Sequence, residues 1–182
     1  MLLYLFTLER EGAPYFGHPV VPAGVMYLPA RDAIVRADRG ISPEKLETQL
    51  RRELRRSGMV LDEPAVLRAM EHSALESPCY LPVTLSKKGD IAGGVASAAQ
   101  LGKLSRYVDR VLHQITRELR QGNVDADPCT RGPQDSACTY CAFASACYFD
   151  ERRDRRNYLK KTKPEEFWQF VDRETGEEGD RG

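Results

Sequence analysis

The chain has 182 residues, which is enough for one domain with a hydrophobic core of ordinary size. Hydrophobic residues make up 41 % and charged residues 30 %, a composition typical of globular proteins, and no apolar run approaches the roughly 18 residues of a membrane helix. Lysine plus arginine and aspartate plus glutamate number 27 each, so a net charge of zero argues against a freestanding nucleic-acid binder held by charge alone.

The first residues, "MLLYLFTLERE", carry neither a basic n-region nor a small-residue cleavage site. We therefore expect no signal peptide, no membrane association and a location in the reducing cytoplasm. The same stretch predicts a helix over residues 1–11 that is apolar on nearly all sides and therefore buried. Because domains rarely begin with an uncapped buried helix, Met1 is expected to be an internal methionine of a longer protein or a start assigned inside a broken reading frame.

The next two segments predict a strand and a helix. "VVPAGVMYLPARD" alternates around Val25 and Tyr27, as a strand does. "ISPEKLETQLRRELRRSG" then predicts a helix with Ser42 as N-cap, Pro43 at the first helical position and Gly58 at its end. One face of this helix is leucine-rich and the opposite face is basic. The basic face comprises Arg51, Arg52, Arg55 and Arg56.

The middle of the chain predicts a short helix, a strand pair and a long helix. The short helix is "EPAVLRAMEHSAL", and "CYLPVTLSKKGDIAGG" predicts two strands that turn at Lys87–Asp90. Ser97 and Gln100 form a capping box that begins the long helix, and Gly122 ends it. Residues 123–137 predict a loop. The order of elements favours the α/β (α+β) class.

Three cysteines follow within ten residues, in the segment "ACTYCAFASACYFD". Cys138, Cys141 and Cys147 have the spacing C-x2-C-x5-C. In a reducing compartment such a group indicates zinc or an iron–sulfur cluster rather than disulfides. Both kinds of site take four ligands, so one ligand is missing, and the chain offers Cys129 or the more distant Cys79.

Charge is unevenly distributed behind the cysteines. Residues 151–163 hold seven basic and two acidic residues, whereas residues 165–182 hold seven acidic and two basic residues. The basic segment suits contact with nucleic-acid phosphates, although a solvated helix face explains the same pattern.

The cysteine segment resembles the C-terminal cluster segment of the AddB-type subunit of the bacterial two-subunit ATP-dependent helicase/deoxyribonuclease. Weaker similarities occur in the same order along the chain, at "PAGVMYLPARD", "GMVLDEPAVLRAME" and "LSKKGDIAGGVASAAQLGKLSRYVDRVLHQITRELRQGNVDADP". Together they extend from residue 1 to about residue 160.

The resemblance implies a fold and a cofactor. It implies the C-terminal part of a RecB-like PD-(D/E)xK nuclease fold, whose end is tied by a [4Fe–4S] cluster. Cys138, Cys141 and Cys147 match three cluster ligands, and the fourth is implied to lie upstream of this sequence. The implied divisions are residues 1–128 for the nuclease-like portion, 129–150 for the iron–sulfur segment and 151–182 for a charged tail.

The resemblance also implies Mg²⁺-dependent DNA cleavage, DNA double-strand-break end processing and recombinational repair, and a heterodimer with the AddA-type helicase/nuclease partner. The chain has no recognisable pair of catalytic carboxylates with a lysine: Lys45 directly follows Glu44 on a predicted helix, and Asp90 lies in a turn. We therefore expect no catalytic residue here and Mg²⁺ ligands outside this sequence. The alternative is a freestanding zinc-stabilised binding module that uses Cys129, Cys138, Cys141 and Cys147.

Overall fold

The computed structural model describes residues 1–132 and 134–176. It confirms the α+β class, with helices and small separate sheets. The chain divides into two compact units, Met1–Ser105 and Arg106–Gly182. The divisions at residues 128 and 150 stay predictions, and residues 177–182 of the predicted tail lie outside the described residues.

The first unit contains the elements expected from the sequence, together with two strands and one short helix that were not expected. The longer of these strands is "SGMVL", which pairs with two neighbours. The elements are α1 (Leu2–Glu11), α2 (Ala13–Phe16), β1 (Gly24–Tyr27), α3 (Pro43–Glu53), β2 (Ser57–Leu61), α4 (Pro64–Met70), β3 (Val83–Leu85), β4 (Ile91–Gly93), β5 (Val95–Ala96) and the first part of α5 (Ala98–Arg120).

The first sheet explains why Gly58 does not end helix α3, as the sequence had predicted. Helix α3 ends at Glu53, and Gly58 lies in β2, antiparallel to β1. Its φ of 137° is accessible mainly to glycine, and a Cβ there would lie 2.2 Å from the Val25 carbonyl oxygen. The glycine therefore permits close approach of two strands instead of capping a helix.

A compact apolar core stabilises this unit. Strand β2 lies between β1 and β5, while β3 and β4 form the predicted hairpin. The side chains of one cluster come from β2, α4, β3 and the segment between α4 and β3. They are Val60, Leu67, Ala74, Leu81 and Val83, all fully buried.

The expectation that helix 1–11 is buried is wrong within this chain. Helix α1 forms as predicted, but among its side chains only Phe6 is buried. Leu3 and Leu8 are half exposed, and Tyr4 is 74 % exposed. The composition of the segment therefore predicted the helix correctly but not its exposure.

Both predicted helix caps are present. Ser42 Oγ accepts a hydrogen bond from the Lys45 amide at 3.4 Å. At the start of α5, the Ser97 amide donates to Gln100 Oε1 at 2.8 Å, and the Gln100 amide donates to Ser97 Oγ at 3.2 Å. These reciprocal bonds satisfy two backbone groups that a helix end would otherwise leave unpaired.

The second unit contains the remainder of α5 and five further elements: β6 (Cys129–Gly132), β7 (Asp135–Ser136), α6 (Ala144–Cys147), β8 (Asn157–Tyr158) and α7 (Pro164–Gly176). The predicted loop 123–137 therefore contains two strands. Helix α7 packs on α5 through Tyr107 and Phe170, whose rings meet edge to face at 5.4 Å. In the described ranges, no helix has the length and apolar content needed to cross a membrane.

Candidate metal centre

The three cysteines lie on one loop that a small sheet closes at its base. We call residues 137–156 the cysteine loop. Strand β6 pairs antiparallel with β7, which precedes the loop, and parallel with β8, which follows it. The Ala137 amide donates to the Cys129 carbonyl at 3.0 Å, and the Asn157 amide donates to the Pro128 carbonyl at 3.0 Å. Both ends of the loop are thus fixed to adjacent residues of one segment.

Thr130 is the buried centre of this base, with only 3 % of its surface exposed. Its Oγ1 lies 2.8 Å from the Gly132 carbonyl and 3.1 Å from the Asp135 carbonyl, and it accepts from the Gly132 amide at 3.2 Å. The Thr130 carbonyl also accepts from the Leu159 amide at 2.8 Å. A single threonine therefore joins all three strands.

Arg156 links the two ends of the cysteine loop. Its guanidinium donates to Ser136 Oγ at 3.0 Å, forms an ion pair with Glu151 and lies 4.9 Å from the centre of the Phe149 ring. Ser136 Oγ in turn accepts from the Cys138 amide at 3.2 Å. The basic segment therefore includes one half-buried arginine with a structural role, and the predicted DNA contact of residues 152–163 stays a prediction.

Within the loop, backbone turns rather than packed side chains position the cysteines. The Cys141 amide donates to the Cys138 carbonyl at 3.3 Å, and the Cys147 amide donates to the Phe143 carbonyl at 2.9 Å. Tyr148 follows with φ of 50°, a left-handed conformation that is uncommon outside glycine and asparagine. The chain thus reverses sharply just after the last cysteine.

All three predicted ligands are free thiols: Cys138 is half-buried, and Cys141 and Cys147 are exposed. The base of the loop also brings Cys129 beside Ala137, one residue before Cys138. Cys79 belongs to the first unit, where its amide donates to Glu71 Oε1 at 2.6 Å.

The donor set can be tested against the two candidate groups. Within residues 1–132 and 134–176, no three His, Cys, Asp or Glu side chains converge as a single metal ion requires. Both candidate groups take cysteine thiolates as ligands, and the three free thiols on one loop would supply three of the four ligands of either.

Sequence reasoning missed one further charged site, which is structural. Glu71 accepts from the backbone amides of Cys79, Tyr80 and Leu81, with the shortest contacts at 2.6, 3.1 and 2.9 Å. Burial alone would raise the pKa of Glu71, but these amides and Ser73 hold it below its usual value. Its carboxylate therefore fixes the segment that leads into β3. A glutamate directly after a short apolar helix carries no signal of this role.

No protein-family model matches the chain. The chain is similar to three proteins named as the B-type subunit of an ATP-dependent helicase/deoxyribonuclease. The one from Thermoanaerobacter sp. (strain X514) is 28 % identical over 185 residues and all of this chain. The proteins from Desulforudis audaxviator and Symbiobacterium thermophilum are each 32 % identical, over 94 % and 99 % of this chain. The chain is homologous to the B-type subunit of these helicase/deoxyribonucleases.

This finding confirms the resemblance on which the sequence interpretation rested. The matched segment makes up 16 % of the Thermoanaerobacter protein and 15 % of each of the other two, so the chain spans about one sixth of their length. The relationship to the B-type subunit therefore covers the whole of this chain but only a small part of each relative.

Proposed function

We propose that this chain is the C-terminal part of the B-type subunit of a helicase/deoxyribonuclease that processes DNA double-strand-break ends for recombinational repair. The observation that carries the proposal is the similarity to proteins of this name over 94 to 100 % of the chain. A match restricted to the cysteine segment would indicate only a shared metal motif, whereas a match of this extent includes both compact units.

In this proposal, Cys138, Cys141 and Cys147 hold three positions of a [4Fe–4S] cluster that stabilises the nuclease domain. The cluster supplies a covalent tie between the cysteine loop and the source of the fourth ligand. The loop needs such a tie because its aromatic side chains are not packed: Tyr140 is 98 % exposed and Phe143 is 75 % exposed. The fourth ligand is an upstream residue of the longer protein or Cys129.

The described residues provide support rather than catalysis. Glu44 and Lys45 lie on helix α3, and Asp90 lies in the β3–β4 turn, so none of the three belongs to a strand with the D-x-K motif. In the complete protein, a Mg²⁺-dependent PD-(D/E)xK nuclease would take its metal ligands from sequence beyond this chain. We therefore expect the isolated chain to cleave no DNA.

The partners follow from the relatives' names. A protein named as the B-type subunit of a helicase/deoxyribonuclease works with another subunit on DNA. For this chain we propose a heterodimer with the AddA-type helicase/nuclease partner, DNA as substrate and the cytoplasm as the compartment.

Anaerobic cluster reconstitution tests the proposal. The full 182-residue chain is incubated with ferrous iron, sulfide and excess dithiothreitol, whose thiolate replaces an absent fourth ligand. We expect about four irons per chain and a broad brown absorbance near roughly 400 nm. Cys141→Ser should lower the iron content and weaken this absorbance, whereas the matched variant Cys79→Ser should leave both unchanged.

Four outcomes separate the alternatives. Cys129→Ser should leave iron content unchanged if the fourth ligand is not in this chain, and should lower it without dithiothreitol if Cys129 is that ligand. A chain that binds no iron and takes one zinc through Cys129, Cys138, Cys141 and Cys147 would overturn the cluster. Iron binding that survives loss of Cys138, Cys141 and Cys147 together would also overturn it.

A further inference from the structure

Three adjoining surface clefts follow helix α3 in the first unit. Their volumes are about 620, 320 and 490 Å³. Lys45 and Gln49 line the first two clefts, and Thr48 and Arg52 line the second and third. Because neighbouring clefts share these lining residues, we treat the three clefts together as one depression along the helix.

The walls of this depression are strongly basic, although the chain as a whole has no net charge. Six cationic side chains line it, against two carboxylates, Asp38 and Glu44. The cations are Arg36, Arg39, Lys45, Arg51, Arg52 and Arg55, which we call the α3 basic track.

Helix electrostatics account for only part of this arrangement. The negative end of the helix dipole favours Arg51 and Arg52 in the last turn. The same dipole disfavours Lys45, which lies in the first turn, and it gives no reason for Arg36 and Arg39, which precede the helix. The dipole therefore does not account for the cations near the start of α3, all of which are exposed and accessible to an anionic ligand.

The internal partners leave much of this charge available. Arg51 pairs with Glu47, and Arg55 donates to the carbonyls of Leu81 and Val83. The nearby Glu71 is already held by three backbone amides. In the described part of the chain, no carboxylate forms an ion pair with Arg36, Arg39, Lys45 or Arg52.

A polar occupant also suits the remaining wall groups. Ser73 and Ser77 contribute hydroxyl groups to the third cleft. Among the buried side-chain oxygen and nitrogen atoms of the described residues, Gln49 Oε1 alone lacks a hydrogen-bond partner. Gln49 lines the first two clefts. A buried acceptor of this kind is normally satisfied by a ligand hydroxyl or by water.

We propose that the α3 basic track binds successive phosphates of a nucleic-acid backbone. Lys45 and Arg52 are separated by about 10.5 Å along helix α3 at 1.5 Å per residue, which corresponds to about three nucleotide steps at 3.4 Å each. The track reads no base sequence, because arginine and lysine here meet phosphates only. This inference rests on the proposed role in DNA-end processing and assigns that role a contact surface.

The salt dependence of DNA binding tests the track in the full 182-residue chain. Each phosphate contact contributes about 0.9 to the slope of log K against log salt for duplex DNA and about 0.7 for a single strand. Lys45→Gln with Arg52→Gln should therefore lower the slope by about 1.8 on a duplex of about 20 base pairs, or by about 1.4 on one of its strands. Inorganic triphosphate serves as a third probe that carries phosphate without a backbone.

Lys87→Gln with Lys88→Gln is the matched control, because it removes two exposed lysines at the β3–β4 turn, outside the track. It should leave the slope unchanged. The proposal would be wrong if all three proteins had the same slope or if both variants lowered the slope equally. It would also be wrong if the chain bound no DNA. Competition by triphosphate as strong as by DNA per phosphate would identify a free polyphosphate site and overturn the backbone assignment.

The result is independent of the cluster experiment. Loss of iron binding in the reconstitution experiment leaves the slope difference intact if the track is correct. Conversely, an unchanged slope leaves the iron stoichiometry unaffected, so failure of one proposal is distinguishable from failure of the other.

Discussion

In the first unit, Val60, Leu67 and Leu81 have no solvent-exposed surface, whereas in the cysteine loop Tyr140 and Phe143 expose most of theirs. The first unit gains its stability from apolar burial. The loop is held at its base by Thr130 and Arg156 and along its length by backbone turns. A region without an apolar core needs another source of order, as small domains with disulfides or metals do.

The largest expected effect on stability comes from truncating a buried leucine, and truncation of an exposed leucine is its control. Leu67→Ala removes a fully buried side chain of the first unit and should lower the free energy of unfolding by about 2–5 kcal/mol. Leu119→Ala makes the same change at a 69 % exposed position of α5 and should stay within about 0.5 kcal/mol. Urea unfolding followed by circular dichroism measures both. Equal losses would contradict the burial of Leu67 and the exposure of Leu119.

A smaller effect is expected for the carboxylate that fixes the segment before β3. Glu71→Gln removes a charged acceptor of three backbone amides and should cost about 1–3 kcal/mol at neutral pH. Because the folded pKa of Glu71 is lowered, its stabilisation is present above the unfolded value near 4.3 and is lost as pH falls through the folded pKa.

The difference in unfolding free energy between wild type and Glu71→Gln should therefore shrink as pH falls below about 4.3. Urea unfolding at several pH values measures it. Glu76→Gln is the control, since Glu76 is exposed and should give a small difference. A Glu71→Gln difference that grew on acidification would contradict a lowered pKa.

The smallest expected effect on overall stability concerns Thr130, at the base of the cysteine loop. Thr130→Val removes a buried hydroxyl and leaves the Gly132 amide without its acceptor, which should cost about 1 kcal/mol. Because the loss is local, alkylation of the half-buried Cys138 should accelerate more than alkylation of the exposed Cys141. Thr139→Val, at an exposed position in the loop, should change neither rate. Equal acceleration in both variants would show that Thr130 has no special role.

Local rules predicted the elements whose cause lies within a few residues. The Ser42 N-cap, the Ser97–Gln100 capping box, the β3–β4 hairpin and helix α5 are all present. Each depends on hydrogen bonds between residues that are close in sequence, so the local sequence pattern is sufficient to predict it.

The errors arose where the decisive neighbour is distant in sequence. Gly58 has the pattern of a helix end, but Val25 approaches it across the sheet and makes it a strand residue. Strands β6, β7 and β8 are two to four residues long and were missed because such short strands form only through pairing with one another. Glu71 was missed because its partners lie eight to ten residues away in an irregular segment.

The sequence by itself determined the α+β class, the local caps, the three-cysteine motif and the resemblance to the AddB-type family, since each depends on residue type and short spacing. Only the tertiary structure decided that the cysteine loop is closed by a three-stranded base and that six cations line one depression along α3. The reason is that strand pairing and surface charge clusters join residues from separate segments, and spacing along the chain does not encode those distances.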